Sequence, residues 1–169
     1  MTESELPRTL ALVTRPLVIG LGTNHRGDDQ CGLDVARVLR EPLKGRAQVA
    51  ECSADVTELL DLWADVDEAI VVDAVRSGRA PGTVVRFEIP GGDPPLLGPT
   101  STHGLSLSEA IGLGRALGRF PRRLIVYGIE AGDVTMGSSV SAAGARGIRE
   151  ASARVLAEVT RYTSPLGSG

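Results

Sequence analysis

The sequence predicts an α/β fold built on a mainly parallel sheet, and three observations carry that prediction. Short, wholly apolar runs of strand length recur at residues 17–21, 69–72 and 124–129, as expected of strands buried on both faces. Segments with apolar residues at helical spacing fall between them. One further strand alternates apolar with charged residues, which places it at an edge with one wet face. Together these give five strands covered by helices on both faces, with one edge strand antiparallel.

Taken in order, Leu17 to Leu21 (LVIGL) ends in Gly22 and reads as a buried strand entering the turn GTNHRGDDQCG. Leu33, Ala36 and Leu39 then recur at helical spacing until Pro42 stops the helix. Ala47 to Cys52 is a weaker strand. Asp55 and Glu58 form a capping box for a short helix through Trp63. Ala69 to Val72 is a third strand that delivers Asp73 at its end. In Thr83 to Ile89, Val85, Phe87 and Ile89 alternate with Arg86 and Glu88 to make the edge strand. GGDPPLLGPTST is a loop by composition. Ser106 and Glu109 form a second capping box, opening a helix with Leu107, Ala110, Ile111, Gly114 and Leu117 on one face. Leu124 to Ile129 is the last buried strand. The final helix aligns Ile148, Ala151, Val155, Leu156 and Val159, and the tail TSPLGSG is expected to fray. Residues 1–169 read as one domain with an ordered core at about 15–162.

Composition narrows the function. A chain of 169 residues with 42% hydrophobic and 23% charged residues is an ordinary globular balance. A net charge of −3 with scattered arginines leaves no footprint for nucleic acid or an anionic membrane. Aromatic residues at 3% supply no stacking platform for bases. Cys31 and Cys52 are too few for a disulfide framework or a four-cysteine zinc site. The N-terminal stretch carries no signal peptide pattern and no apolar run approaches membrane-spanning length, so a cytoplasmic monomer is the expectation.

In an open α/β sheet, ligands collect outside the carboxyl ends of the strands. Asp28 and Asp29 follow the first strand, Asp73 ends the third, and His103 lies in the loop before the Ser106 helix. Two carboxylates and an imidazole suit a borderline divalent ion such as nickel or zinc, and an incomplete shell leaves room for a substrate group or water. Taken singly, Asp28 and Asp29 read more simply as helix caps, and His103 as an ordinary loop residue. Asp73 is harder to dismiss, because a carboxylate closing an apolar strand is costly unless partnered. Convergence on one sheet edge is what favours function. Other motifs are weaker. In the GLG after the first strand, His25 occupies the position of the third glycine of a dinucleotide fingerprint. No Walker A sequence or nucleophile elbow occurs. Cys31, near a helix start, is a conceivable nucleophile with His25 or His103, but packing is its simpler role.

The residues in these blocks resemble a known family. LVIGLGTNHRGDDQCGLDVARVL is similar to the opening signature of the hydrogenase maturation proteases. VVDAVRSGRAPGTVVRF, STHGLSLSEAI and LIVYGIEAGDV resemble their later blocks, in the same order from about Leu17 to Val159. The resemblance implies a three-layer α/β/α sandwich and an endopeptidase that removes the C-terminal extension of a NiFe hydrogenase large-subunit precursor after nickel insertion. It puts the family's ligand residues at Asp29, Asp73 and His103, both catalytic and metal-binding, with nickel (or another divalent ion in its place) carried by the substrate. It leaves Asp28 to position Asp29 or cap the helix. Thr23, Gln30 and Cys31 depart from the family pattern, and Gln30 in place of Gly implies a slightly different turn. Two rivals are a non-catalytic nickel- or hydrogenase-binding chaperone on the same scaffold and a thiol enzyme using Cys31.

Overall fold

A computed structural model describes residues 15–90 and 104–163. The strands are β1 (Leu17–Leu21), β2 (Gln48–Cys52), β3 (Glu68–Val75), β4 (Val84–Pro90) and β5 (Arg123–Glu130). The helices are α1 (Cys31–Leu39), α2 (Val56–Trp63), α3 (Gly104–Ala116) and α4 (Ala142–Thr163), with a 3-10 turn at Gly27–Gln30 before α1. The sheet order is β2-β1-β3-β5-β4. All pairs are parallel except β4 with β5, which is antiparallel. This is the mixed α/β architecture the apolar runs predict.

Strand alternation divides the core into two layers. Ile19, Leu21, Val71, Leu124 and Val126 face α2 and α3, meeting Leu59, Trp63, Leu107 and Ile111. Val18, Ile70, Val72, Ile125 and Tyr127 face α1 and α4, meeting Val35, Leu39, Val155 and Val159. Because both faces are covered, the central strands can be apolar at every position. Helix α1 lies unusually close to the sheet. A Cβ on Gly32 would run into the carbonyl oxygens of Leu21 and Val72, and one on Gly20 would strike Gly32. These two glycines therefore bring the start of α1 down onto the carboxyl ends of β1 and β3.

Several boundaries differ from the sequence reading. Strand β3 continues through Asp73 to Val75, because β5 pairs with it all the way to Val75↔Glu130, whereas β1 pairs only as far as Gly20↔Val72. Asp73 thus sits inside a strand, at the point where its neighbour on one side has ended. Helix α3 starts at Gly104, so Ser106 lies within its first turn and is not its cap. Leu117 is 56% exposed rather than part of the buried face. The helix has ended at Ala116, and Gly118 turns the chain at φ +66°. Asp55 does cap α2, accepting from the Glu58 amide at 3.0 Å. Glu58 does not reciprocate but reaches Cys52 and Ser53. Among the described residues no helix is long and apolar enough to cross a membrane.

Candidate functional site

Strand β1 has β2 on one side and β3 on the other, so the connections leaving β1 and β2 wind in opposite directions. At such a reversal the flanking loops separate and open a crevice at the carboxyl ends of the strands. The 3-10 turn after β1 packs against β3 beside this reversal. It brings Asp29, with no exposed surface, to the strand carrying Asp73, which is 1% exposed. Asp73 has the strand parity of Ala69 and Val71, so it points into the α2–α3 layer. That is the layer in which α3 starts at Gly104, directly after His103 in sequence. His103 itself lies outside the described residues. Among the described residues no group of three or more His, Cys, Asp or Glu clusters as a metal site.

Asp28 behaves differently from its neighbour. It makes no cap on α1. Its Oδ1 accepts from the Ser141 amide at 2.7 Å, and its Oδ2 accepts from the Ser141 hydroxyl and the Gly132 amide, each at 2.8 Å. Gly144 has no room for a Cβ beside this carboxylate. Asp28 is thus a buried latch joining the site turn to the β5–α4 connection. Main-chain bonds run parallel to it: Gly27 to Ser138 at 3.0 Å, Asp28 to Asp133 at 2.7 Å and Gly137 to His25 at 2.6 Å. Arg26 adds a bond to the Val134 carbonyl at 3.2 Å. Of its two expected roles, capping is not the one the structure shows: the Asp28 carboxylate instead anchors the turn that carries Asp29.

The departures at Gln30 and Cys31 have structural explanations. Gln30 stands at φ −84°, where a side chain is unstrained. The left-handed positions fall instead on His25 (φ +59°) and Gly27 (φ +54°). The Gln30 side chain closes the turn by accepting from the His25 amide at 2.9 Å and donating to Asp34 at 3.1 Å. Cys31 is fully buried among Val18, Val35 and Leu39 in the α1–α4 layer, away from the face of Asp73. Burial, followed by the nearby carboxylates of Asp28, Asp34 and Asp29, pushes its thiol up to about 12. A buried, protonated thiol on the wrong face is a packing residue.

Sequence reasoning passed over Glu130. It ends β5 at 3% exposure and accepts from the Ser77 amide at 2.8 Å, the Ser77 hydroxyl at 2.6 Å and the Gly78 amide at 3.0 Å. It holds the β3–β4 turn that follows Asp73. The signal was present: an acidic residue closing an apolar strand, the same pattern that singled out Asp73.

Comparisons with known proteins agree with this fold. A family model described as hydrogenase maturation protease matches residues 35–158. The chain is 28% identical over 118 residues to the hydrogenase expression/formation protein HupD of Thiocapsa roseopersicina, covering 68% of this chain and 53% of that protein. The match therefore spans little more than half of that relative's length. It is also 28% identical over 121 residues to the hydrogenase 2 maturation protease of Escherichia coli, covering 68% of this chain and 72% of that one. The solved structure of the NiFe hydrogenase maturation protease HybD from Thermococcus kodakarensis superposes with a TM-score of 0.72 at 26% identity, covering 86% of this chain and 99% of that chain. With the matched family spanning well over half its length, the chain belongs to the hydrogenase maturation protease family.

Proposed function

We propose that this chain is an endopeptidase that removes the C-terminal extension of a NiFe hydrogenase large-subunit precursor once nickel has been inserted. The observation that carries the reading is that two buried acidic residues, Asp29 on the 3-10 turn packed against β3 and Asp73 on β3 itself, lie by the topological reversal of the sheet in a chain of this family. Asp29, Asp73 and His103 act together as catalytic and metal-binding residues. Carboxylate oxygens and an imidazole nitrogen fit a borderline divalent ion, and burial suits carboxylates whose charge is met by a cation. The ion arrives as part of the substrate, and would serve there as a Lewis acid toward the scissile carbonyl or a water. The chain's own residues hold that segment of the precursor against the sheet edge and keep the site turn fixed through the Asp28 latch.

The test is to incubate the protein with nickel-loaded and nickel-free precursor and follow mass loss at the precursor C-terminus. Cleavage of the loaded form alone is expected. Asp29→Ala, Asp73→Ala and His103→Ala should each abolish it, and the triple variant should be little worse than any single one, because members of one constellation are non-additive. A folded single variant that still cleaves removes that residue from the site. Binding of loaded precursor with no cleavage by the wild-type protein would instead support a maturation chaperone.

A further inference from the structure

We infer that the cleft between β4, β5 and the C-terminal half of α4 binds a small molecule carrying a diphosphate group. This site is separate from the proteolytic one and stands whatever reaction that one performs.

Four arginines far apart in the sequence line the cleft: Arg86 from β4, Arg123 from β5, and Arg154 and Arg161 from α4. Both tyrosines of the chain, Tyr127 and Tyr162, join them. The cleft measures about 540 Å³, within the range of roughly 300–1,000 Å³ usual for small-molecule sites. Arg86 stands opposite Tyr127 in the β4–β5 pair, and Arg123 shares the strand parity of Tyr127, which faces α1 and α4. Asp73 points into the α2–α3 layer. The two sites therefore lie on opposite faces of the sheet.

Charge in the cleft is out of balance. Glu158 is the single lining carboxylate against four guanidinium groups, and Arg86 already holds it at 2.8 and 2.9 Å. The other carboxylates that reach these arginines come from outside the lining. Glu88 bonds Arg86 and Arg123, Glu68 lies 4.0 Å from Arg123, and Glu150 lies 3.3 Å from Arg154. Donors are left over on α4. Arg154 commits Nη1, to the Val84 carbonyl at 3.1 Å and to Glu150, and keeps Nε and Nη2. Arg161 commits only Nε, to the Ala157 carbonyl one turn back at 3.4 Å, so both Nη groups remain available among the described residues.

These two arginines are seven residues apart, two turns and about 10 Å along one helix face. That spacing suits two linked oxyanion groups, one for each fork, and a guanidinium fork matches phosphate oxygens bidentately. Arg154 lies over the Tyr127 ring at 5.5 Å and Arg123 over the Tyr162 ring at 4.6 Å. Cations held in place before a ligand arrives lose little entropy on binding it. The side chains of Arg86, Arg123 and Arg154 are only 29%, 25% and 39% exposed, so an anion among them is attracted more strongly than in open water.

Calorimetric titration of the full chain with inorganic pyrophosphate at low salt tests this. Binding should saturate and should weaken as salt is raised. Arg161→Gln and Arg154→Gln should each lower affinity about tenfold, the scale of one charge-assisted contact. Arg161 is exposed, so thermal unfolding of its variant should match wild type and the loss is then one of binding. Arg149→Gln, at an exposed arginine of the same helix outside the cleft, should bind as wild type does. An equal loss there would reveal unspecific attraction and overturn the inference. So would a failure to bind pyrophosphate, or citrate binding as tightly. Adenosine diphosphate titrated in parallel identifies the source of the group. Tighter binding than pyrophosphate supports a site for a nucleotide, and equal or weaker binding supports one for free diphosphate.

Discussion

Adjacent residues in the site turn have opposite duties, and substitution should separate them. Asp28 spends both carboxylate oxygens on Ser141 and Gly132. An amide at this position would turn a donor toward donors, so Asp28→Asn should lower unfolding stability by about 2–4 kcal/mol. Activity should fall only with the folded fraction. Asp29→Asn should do the reverse, abolishing cleavage while stability stays within about 1 kcal/mol, as is common where a residue serves function over packing. Urea unfolding followed by the fluorescence of Trp63, the single and fully buried tryptophan, measures both. Equal behaviour of the two variants would show that the turn is one structural unit with no chemical residue in it. Cys31→Ser tests the thiol rival: the variant should keep its cleavage chemistry and lose about 1–2 kcal/mol, since it places a hydroxyl among Val18, Val35 and Leu39. Complete loss of cleavage by a folded Cys31→Ser protein would reinstate the nucleophile. Asp73 was legible in the sequence because a carboxylate in an apolar run is conspicuous. The latch at Asp28 was not, since its partners lie 104 and 113 residues away.

At the scale of elements, β4 and α4 are joined by a polar clamp that patterning alone did not reveal. The alternation of β4 correctly placed it at an edge, but the charged face expected to be wet is partly covered. Arg86 donates to Glu158 at 2.8 and 2.9 Å, and Tyr127 donates to it at 2.6 Å. Glu158 is 4% exposed in the C-terminal part of α4. The Arg86 hydrogen bonds hold its carboxyl below its ordinary value of 4.5, against the opposing effect of burial. A carboxylate with a lowered folded-state pKa contributes stability that is fully present above its unfolded value and is lost as pH falls through the folded one. The clamp should therefore act at neutral pH and fade below about pH 4.5. Glu158→Gln should destabilise the protein by about 2 kcal/mol at pH 6. The gap from wild type should close on acidification toward pH 3, as measured by denaturant unfolding at each pH. A gap independent of pH would mean that Glu158 acts by shape alone. Helix boundaries were less legible for a related reason. The start of α3 at Gly104 lies two residues ahead of the Ser106 capping signal.

Across the whole molecule, the layering of the fold and the place of the site are connected. Apolar strands demand cover on both faces, helices supply it, and the reversal beside β1 then opens one edge. The cover on both faces follows from periodicity, but the strand order and its reversal do not; the two acidic residues could be assigned to a common edge because each follows an apolar strand at its carboxyl end. The closeness of α1 to the sheet could not, since it depends on Gly20 and Gly32 facing each other across elements. The same arrangement bears on where the metal resides. The proposed ligands come from a short turn, a strand and the segment preceding α3, with two carboxylates, one imidazole and no thiolate. Both buried thiols stand apart from this role: Cys31 faces the other layer, and Cys52 donates to Glu58 at 3.2 Å. A three-ligand oxygen and nitrogen site leaves coordination unfinished and should bind nickel or zinc weakly by itself. Affinity should appear when the precursor contributes its own ligands to a shared ion, and an empty precursor then forfeits much of its binding energy. Purified protein should accordingly carry well below one equivalent of metal, and calorimetry should show loaded precursor binding at least about tenfold more tightly than nickel-free precursor. Asp73→Asn should erase that difference while leaving the weaker binding of the empty precursor in place. One firmly held zinc per chain, with equal affinity for both precursors, would place the metal in the enzyme and end the shared-ion account.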